Sequence, residues 1–173
     1  SRLARHRMYY QGPLSSTPGE RPWNLQRNGA PGMAKFGGWI WSGDVTSSWN
    51  TLTAQVEVGI NSSLSLSPFW GTDIGGFNAS PNLDFTGELY ARWFQFAAFC
   101  GSFRAHGRTW QLRLPWGWGA NEMGPREYDN KNTPIPAADP RNVRPSEMNN
   151  PAIEPIVKRY SELRYQLMPY TYT

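Results

Sequence analysis

Short apolar runs alternate with amphipathic helices along this chain, and that alternation constrains its fold more than any other feature. Each run is only a few residues long and is stopped by glycine or by a polar cluster. Such a pattern is typical of βα units built around a parallel sheet. The runs predicted as strands or buried segments are Trp23 to Arg27, Trp39 to Trp41, Leu66 to Trp70 and a strand beginning at Phe103.

Helical spacing of apolar residues predicts three helices among these runs. The first has Ser47 or Ser48 as its N-cap, the second runs from about Glu88 to Phe99, and the third starts with Asn150 as cap and Pro151 at its first position. Residues 1–20 are interpreted as a helix end followed by a loop. The predicted apolar faces are Trp49, Leu52, Val56 and Ile60; then Leu89, Trp93, Phe96 and Ala97; then Ile153, Ile156, Tyr160, Leu163 and Leu167, up to Pro169.

Charged or polar residues follow each predicted strand. Arg27, Asp44, Asp73 and His106 come directly after successive runs, and the carboxyl ends of barrel strands meet at one mouth. Alone, each has an ordinary explanation, since an Asp after a strand often caps a helix and an Arg or His can serve a structural role. Taken together, these four residues favour recognition of a neutral polyhydroxylated ligand. Aromatic residues such as Trp41, Trp70 and Phe77 are expected to line the same mouth, where their rings offer flat apolar faces to such a ligand.

Composition and motifs argue against other functions. The net charge is +4, but apart from a cluster at Arg2, Arg5, His6 and Arg7 the basic residues are scattered, which indicates a solvated surface and no nucleic-acid partner. No apolar stretch is long enough to span a bilayer. Phosphate-loop, zinc-helix and serine-elbow motifs are missing from the sequence. The two histidines lack metal-ligand spacing, so we expect no metal and no cofactor, and the single Cys100 is interpreted as a buried thiol.

Six ordered motifs resemble glycoside hydrolase family 31 from about Arg21 to Tyr172. They are Arg21-Pro22-Trp23 with Arg27-Asn28-Gly29, Trp41-Ser42-Gly43-Asp44, Trp70-Gly71-Thr72-Asp73-Ile74-Gly75-Gly76-Phe77, Arg92-Trp93-Phe94-Gln95, Phe103-Arg104-Ala105-His106, and Leu163-Arg164-Tyr165 with Pro169-Tyr170. The resemblance implies an α/β fold, a partial (β/α)8 TIM barrel. Residues 1–173 would supply about strands five to eight with their helices, the C-terminal half of the catalytic barrel.

The resemblance also implies a retaining double displacement on an α-glycoside, which uses two carboxyl groups about 5–5.5 Å apart. Asp44 matches the general acid/base. Four residues match sugar-contacting positions: Arg27 and His106 as hydrogen-bonding groups, and Trp41 and Phe77 as aromatic walls. Two others, Asp73 and Arg104, match supporting positions beside the pocket, and an ion pair between them is expected from the resemblance.

The family's nucleophile is an Asp inside a Trp-x-Asp-x-x-Glu-like run on strand four, and no acid of this chain lies in such a run. We therefore expect the nucleophile upstream of Ser1. A whole barrel takes ~250 residues, so the expected partner is the N-terminal half of the same barrel. Alone, the chain would expose open sheet edges and apolar surface, which predicts an inactive and aggregation-prone fragment.

The Pro- and Gly-rich segment 107–149 is predicted to be a long active-site loop that shapes the aglycone side with Trp110, Trp116 and Trp118. The expected substrate is an α-linked oligosaccharide or glycoside, with α-glucoside favoured. An α-xyloside, an α-galactoside and sugar transfer are alternatives within the family. A non-catalytic carbohydrate-binding relative is the alternative from another class. Compartment stays open, because the triplets starting at Asn61 and Asn78 match the N-glycosylation pattern but such triplets are common by chance.

Overall fold

The computed structural model of the chain describes residues 2–78, 86–107 and 152–173. Four short strands alternate with helices in these ranges. The elements are α1 (Arg2–Ser16), β1 (Asn24–Gln26), a 3-10 helix (Met33–Phe36), β2 (Gly38–Trp41), α2 (Trp49–Leu64), β3 (Trp70–Asp73), α3 (Gly87–Ala97), β4 (Ser102–Arg104), α4 (Ile153–Gln166) and α5 (Met168–Tyr172).

The strands form one parallel sheet in the order β1-β2-β3-β4, the same as their order along the chain. The helices between parallel strands provide the crossovers that such pairing requires. The predicted α/β organisation with a parallel sheet is confirmed. Within the described residues, β1 and β4 each have a single strand neighbour, and the assignment of these strands as five to eight of a barrel stays a prediction.

The third strand begins later than the sequence predicted. The run from Leu66 to Trp70 was expected to form it, whereas β3 starts at Trp70 and reaches Asp73. Leu66 has a left-handed backbone, with φ of 60°, and is 79% exposed. The Leu66 and Ser67 amides donate back to the Ser63 and Ser62 carbonyls and so close the end of α2. Apolar Leu66 therefore belongs to a helix end and not to a strand.

The first helix is longer than predicted, because it continues through Gly12 and Pro13 to Ser16. A proline inside a helix lacks the amide that would bond the preceding turn. Its carbonyl is still used here, since both the backbone amide and the hydroxyl of Thr17 donate to the Pro13 oxygen, at 2.8 and 3.1 Å. The loop expected within residues 1–20 is correspondingly shorter.

The main core lies between α3, α4 and the β3–β4 side of the sheet. Thr86 caps α3 by accepting a hydrogen bond from the Leu89 amide at 3.2 Å. The predicted apolar face of α3 is confirmed for Leu89, Trp93 and Ala97, which are fully buried, while Phe96 is partly buried. The buried members of this core are Ile74, Leu89, Tyr90, Ala91, Trp93, Phe94, Ala97, Ile153 and Val157.

Arg164 of α4 ties this core to the connection between α3 and β4. Its guanidinium donates to the carbonyls of Ala98, Cys100 and Gly101 at 3.0, 2.7 and 3.0 Å. Hydrogen bonds from a charged donor are about twice as strong as neutral ones. Arg164 thus satisfies carbonyls at the end of α3, where the helix dipole is negative, and fixes the point at which β4 enters the sheet.

The second helix keeps its predicted cap but not its predicted burial. Ser48 accepts a hydrogen bond from the Thr51 amide at 3.2 Å, whereas Trp49, Val56 and Ile60 are 42%, 38% and 58% exposed. The helix approaches the sheet through Gly59, where an added Cβ would lie 2.9 Å from the Trp70 ring. Because of this contact, the face of α2 that carries Gln55, Gly59 and Ser62 lies towards the sheet. Most of the predicted apolar face is exposed to solvent, although its member Leu52 packs against the core.

The last helices also differ from prediction at their ends. The α4 helix begins at Ile153 after Ala152, which provides no side-chain cap, and the predicted cap Asn150 and Pro151 lie outside the described residues. Pro169 was expected to end the helical pattern, but it lies in the first turn of α5, where a missing amide costs nothing. Residues 108–149 of the predicted active-site loop also lie outside the described residues. None of the helices in the described ranges is long and apolar enough to cross a membrane.

Candidate active site

Most of the predicted site residues lie at the carboxyl end of the sheet. Arg27 follows β1 directly, Trp41 and Asp73 are the last residues of β2 and β3, and Arg104 is the last residue of β4. Asp44 lies three residues beyond β2. Parallel strands present these ends on one side, so residues far apart in the sequence are brought together there.

Asp44 is paired with Arg27 and remains accessible. The Arg27 Nη2 atom lies 3.2 Å from the Asp44 Oδ1 atom, and the two side chains are 58% and 41% exposed. Gly43 has a φ of 84°, and a Cβ added to it would lie 3.1 Å from the same Nη2 atom. Glycine therefore allows both the turn before Asp44 and the close approach of Arg27. An exposed pair contributes only about 0–1 kcal/mol to stability, so its main effect is to orient the carboxylate.

The loops that follow β2 and β3 are bonded to each other. The Phe77 and Asn78 amides both donate to the Val45 carbonyl, at 2.7 and 3.1 Å, and the Asn78 side-chain amide donates to the Asp44 carbonyl at 3.1 Å. This brings Phe77 beside the segment that carries Asp44. The Phe77 ring also contacts His106, with centroids 5.4 Å apart, so a flat apolar face and an imidazole lie side by side.

Asp73 is fully buried and faces Arg104 across the strand pair. The two are direct register partners in β3 and β4, and the Arg104 Nη1 atom lies 3.6 Å from the Asp73 Oδ1 atom. The Arg104 side chain is 29% exposed, whereas that of Asp73 is 1% exposed. A carboxylate this deeply buried needs a counter-ion, and Arg104 supplies one.

Two guanidiniums lie over the Trp41 ring, an arrangement that sequence spacing does not predict. The Arg27 Cζ atom is 5.7 Å and the Arg104 Cζ atom 5.5 Å from the ring centroid, both within the range of cation–π attraction. The sequence signal is indirect: Arg27 follows β1, and Trp41 and Arg104 end β2 and β4, so all three lie at the carboxyl end of the sheet.

His6 contacts the segment that follows Arg27. Sequence analysis missed this role, because it placed His6 only in a basic cluster. It is fully buried in α1, and its Nε2 atom lies 2.9 Å from the Asn28 carbonyl oxygen, to which it is placed to donate. A Cβ added to Gly38 would lie 2.7 Å from the His6 Nδ1 atom, so this glycine makes room for the imidazole. His6 thereby anchors the residue that follows Arg27.

Two other predicted residues lie away from the mouth. Trp70 was expected to wall it but is 4% exposed at the start of β3, where it packs against Phe96 and under Gly59. Its side chain points to the helix layer, so that expectation is wrong. Cys100 is half-buried, and burial raises the pKa of its thiol to about 11, which disfavours a nucleophilic role. Among the described residues, no group of three or more His, Cys, Asp or Glu side chains could hold a metal ion.

Comparison with known proteins identifies the family. A family model described as the glycosyl hydrolases family 31 TIM-barrel domain matches residues 2–173. The chain is 33% identical over 150 residues to an alpha-xylosidase of Saccharolobus solfataricus, covering 86% of this chain, and 31% identical over 165 residues to alpha-glucosidase 2 of Bacillus thermoamyloliquefaciens, covering 95%. It spans 16% of the length of each of these relatives.

The solved structures agree with this assignment. An alpha-xylosidase from a soil metagenome, complexed with xylose, superposes with a TM-score of 0.69 at 27% identity, covering 98% of this chain and 23% of that one. Together with the family match over residues 2–173, this shows that the chain belongs to glycosyl hydrolases family 31 and forms part of its TIM-barrel domain.

Proposed function

We propose that the protein carrying this chain is a retaining α-glycosidase in which Asp44 is the general acid/base. The observation that carries the proposal is an accessible carboxylate, paired with Arg27 at 3.2 Å, at the end of the sheet where barrel active sites lie. The α-glucoside is the first substrate proposed. An α-xyloside is the second candidate, favoured by the similarity to an alpha-xylosidase at 33% identity, and transfer of the sugar to an acceptor is the third outcome.

The mechanism is a double displacement. In the first step, protonated Asp44 donates its proton to the departing glycosidic oxygen while a second carboxylate attacks the anomeric carbon and forms a covalent glycosyl-enzyme. In the second step, Asp44 takes a proton from water as the water oxygen displaces that carboxylate. Arg27 orients the Asp44 carboxyl in both steps, because its guanidinium donates to one carboxyl oxygen when the group is protonated and forms an ion pair with it when the group is ionised.

The second carboxylate comes, in this proposal, from a part of the protein outside the chain. Among the described residues, Asp73 is the other acid at this end of the sheet, and it is fully buried against Arg104, which makes it unsuited to attack a sugar. Two further observations on the described residues support the same view: β1 and β4 each have one strand neighbour there, and the apolar stripe of α2 is exposed. We therefore propose that the N-terminal half of the barrel completes the site, and that residues 1–173 alone are inactive and prone to aggregate.

Sugar recognition is assigned to the residues around Asp44. Trp41 and Phe77 offer aromatic faces for the sugar ring, and Arg27 and His106 offer hydrogen bonds to its hydroxyls. The contact of 5.4 Å between Phe77 and His106 supports one pocket that contains both kinds of group. Segment 107–149 is proposed to shape the aglycone side, and its removal from the full-length protein would then change the preferred leaving sugar.

The test is Asp44→Asn in the full-length protein, with aryl α-glycosides as substrates. Loss of a general acid/base costs about 10²- to 10⁴-fold in rate, so turnover of a poor leaving group should fall by that factor. Added azide should restore turnover of an activated substrate, since azide attacks the glycosyl-enzyme without base assistance. Glu57→Gln, an exposed acid on α2, is the matched control and should leave both rates unchanged.

Two results would contradict the proposal. The first is an Asp44→Asn protein with wild-type turnover. The second is sugar binding without turnover in the wild-type protein, which would identify a non-catalytic carbohydrate-binding relative. The ratio of kcat/KM on aryl α-glucoside to that on aryl α-xyloside then decides between the two substrates.

A further inference from the structure

We propose that buried Asp73 is a positioning residue for Asp44, acting through Arg104, Trp41 and Arg27. The inference rests on the proposed function, because it assumes that Asp44 is the acid/base. It concerns a residue that would not touch the substrate, and it gives the buried Asp73–Arg104 pair a catalytic consequence in addition to its structural one.

The first step is the dependence of Arg104 on Asp73. The two side chains are register partners and lie 3.6 Å apart, and the carboxylate is fully buried. Taking one partner away from a buried pair leaves the other charge uncompensated, a change that costs much more than the loss of an exposed pair. Asp73 therefore fixes where the Arg104 guanidinium rests.

The second step is the dependence of Trp41 on Arg104. The indole Nε1 atom of Trp41 is buried and has no hydrogen-bond acceptor within the described residues. A hydrogen bond therefore does not set the ring orientation there. Two guanidiniums of the described residues do lie over the ring, with the Cζ atom of Arg104 5.5 Å and that of Arg27 5.7 Å from its centroid.

The third step concerns charge. Two cations over one indole repel each other unless each has its own anion. Each guanidinium does have one, since Arg27 is 3.2 Å from Asp44 and Arg104 is 3.6 Å from Asp73. The groups form a continuous row, Asp44–Arg27–Trp41–Arg104–Asp73, that draws on the ends of all four strands. Neutralising Asp73 would leave Arg104 as an unbalanced cation at one end of this row and disturb Arg27, the partner of Asp44, at the other.

The test uses a property that a purely structural role would not change. Acid assistance is needed when the leaving group is poor and is unnecessary when it is activated, as with dinitrophenolate. In the full-length protein, Asp73→Asn should lower kcat/KM on a phenyl or methyl α-glycoside by about tenfold, part of the whole acid/base contribution. On the dinitrophenyl α-glycoside of the same sugar, kcat/KM, which reports formation of the glycosyl-enzyme, should stay within about twofold.

Glu88→Gln is the matched control, because it removes a carboxylate from the exposed Glu88–Arg92 pair of α3, 3.8 Å apart. Its rates on both substrates should equal those of the wild type. Equal losses on the two substrates in Asp73→Asn would overturn the positioning role. If Asp44→Asn itself shows no dependence on the leaving group, the proposed function fails, and that outcome is distinct from failure of this inference alone.

A second variant covers the case in which Asp73→Asn does not fold. Arg104→Lys keeps a positive charge opposite Asp73 but loses the planar guanidinium that stacks on the indole. It should show the same selective loss on the poor leaving group. An unchanged ratio of rates between the two substrates in folded Arg104→Lys would overturn the proposal.

Discussion

The helices α3 and α2 are buried in different ways. The α3 helix presents Leu89, Trp93 and Ala97 to a core that α4 closes with Ile153 and Val157. The α2 helix approaches the sheet at Trp70 of β3, buries Gln55 and exposes most of its apolar stripe. Both helices have apolar residues at helical spacing. The difference teaches that spacing reveals an apolar face, whereas a partner surface decides whether that face is buried.

The sharpest test of this comparison uses one tryptophan from each helix. Trp93→Ala should destabilise the full-length protein by about 3–5 kcal/mol, because it empties a fully buried site. Trp49→Ala, at a side chain that is 42% exposed, should cost less than about 1 kcal/mol. The measurement is the shift of the denaturant midpoint for the transition of the barrel.

Similar losses at the two positions would break the comparison. They would mean that another part of the complete protein packs against the apolar face of α2 and buries it. Trp49→Phe should then recover most of the stability lost in Trp49→Ala.

The next largest effect is expected at Arg164, which connects α4 to the end of α3. Arg164→Ala removes three hydrogen bonds from a charged donor and should cost about 3 kcal/mol. Arg92→Ala, at an exposed i,i+4 pair, should cost no more than about 0.5 kcal/mol. Hydrogen exchange at the β4 amides should rise in Arg164→Ala. Unaltered exchange there would show that Arg164 does not hold the strand.

The smallest effect concerns the reactivity of a thiol at the C-terminal end of α3 compared with one at the C-terminal end of α2. Because the thiolate is the reactive form, a pKa of about 11 for Cys100, in place of the ordinary 9.0, leaves about a hundredfold less thiolate at pH 8. A Ser65→Cys variant places a thiol at the exposed end of α2. Iodoacetamide should label Cys100 about a hundredfold more slowly than this cysteine, and the gap should narrow as the pH rises towards 11.

Mass spectrometry of the labelled peptides measures the two rates within one protein. Equal labelling at pH 8 would indicate that the end of α3 opens as freely as the end of α2, and the contrast between the two helices would not extend to their ends.

Much of the fold was predictable because its signals are local. Glycines bracket Trp39 to Trp41, Ser48 stands before the first turn of α2, and the face of α3 follows a helical period. The errors have two different causes. The contact of Gly59 with Trp70, which are 11 residues apart, orients α2, and spacing along the helix does not show it. The left-handed turn at Leu66 ends α2 and delays β3, and an apolar residue stands there in place of the glycine that usually signals such a turn.

The site was predictable to the same extent. The positions of Arg27, Asp44, Asp73 and His106 after successive strands follow from chain order. The ion pair of Asp73 with Arg104 was expected from the resemblance, whereas the pair of Arg27 with Asp44 was not. The stacking of two guanidiniums on Trp41 and the support of Asn28 by His6 depend on side-chain directions in space. Sequence spacing carries no information about those directions, so the roles of these residues have to come from experiment.

The identity of strand order and chain order has a consequence for synthesis. Within the described residues, β2, β3 and β4 each pair with the strand made just before them, so each can join the sheet as soon as it is made. As the nascent chain leaves the ribosome, the sheet can grow by one βα unit at a time. The edge of β3 then stays open until the ribosome has translated both α3 and β4.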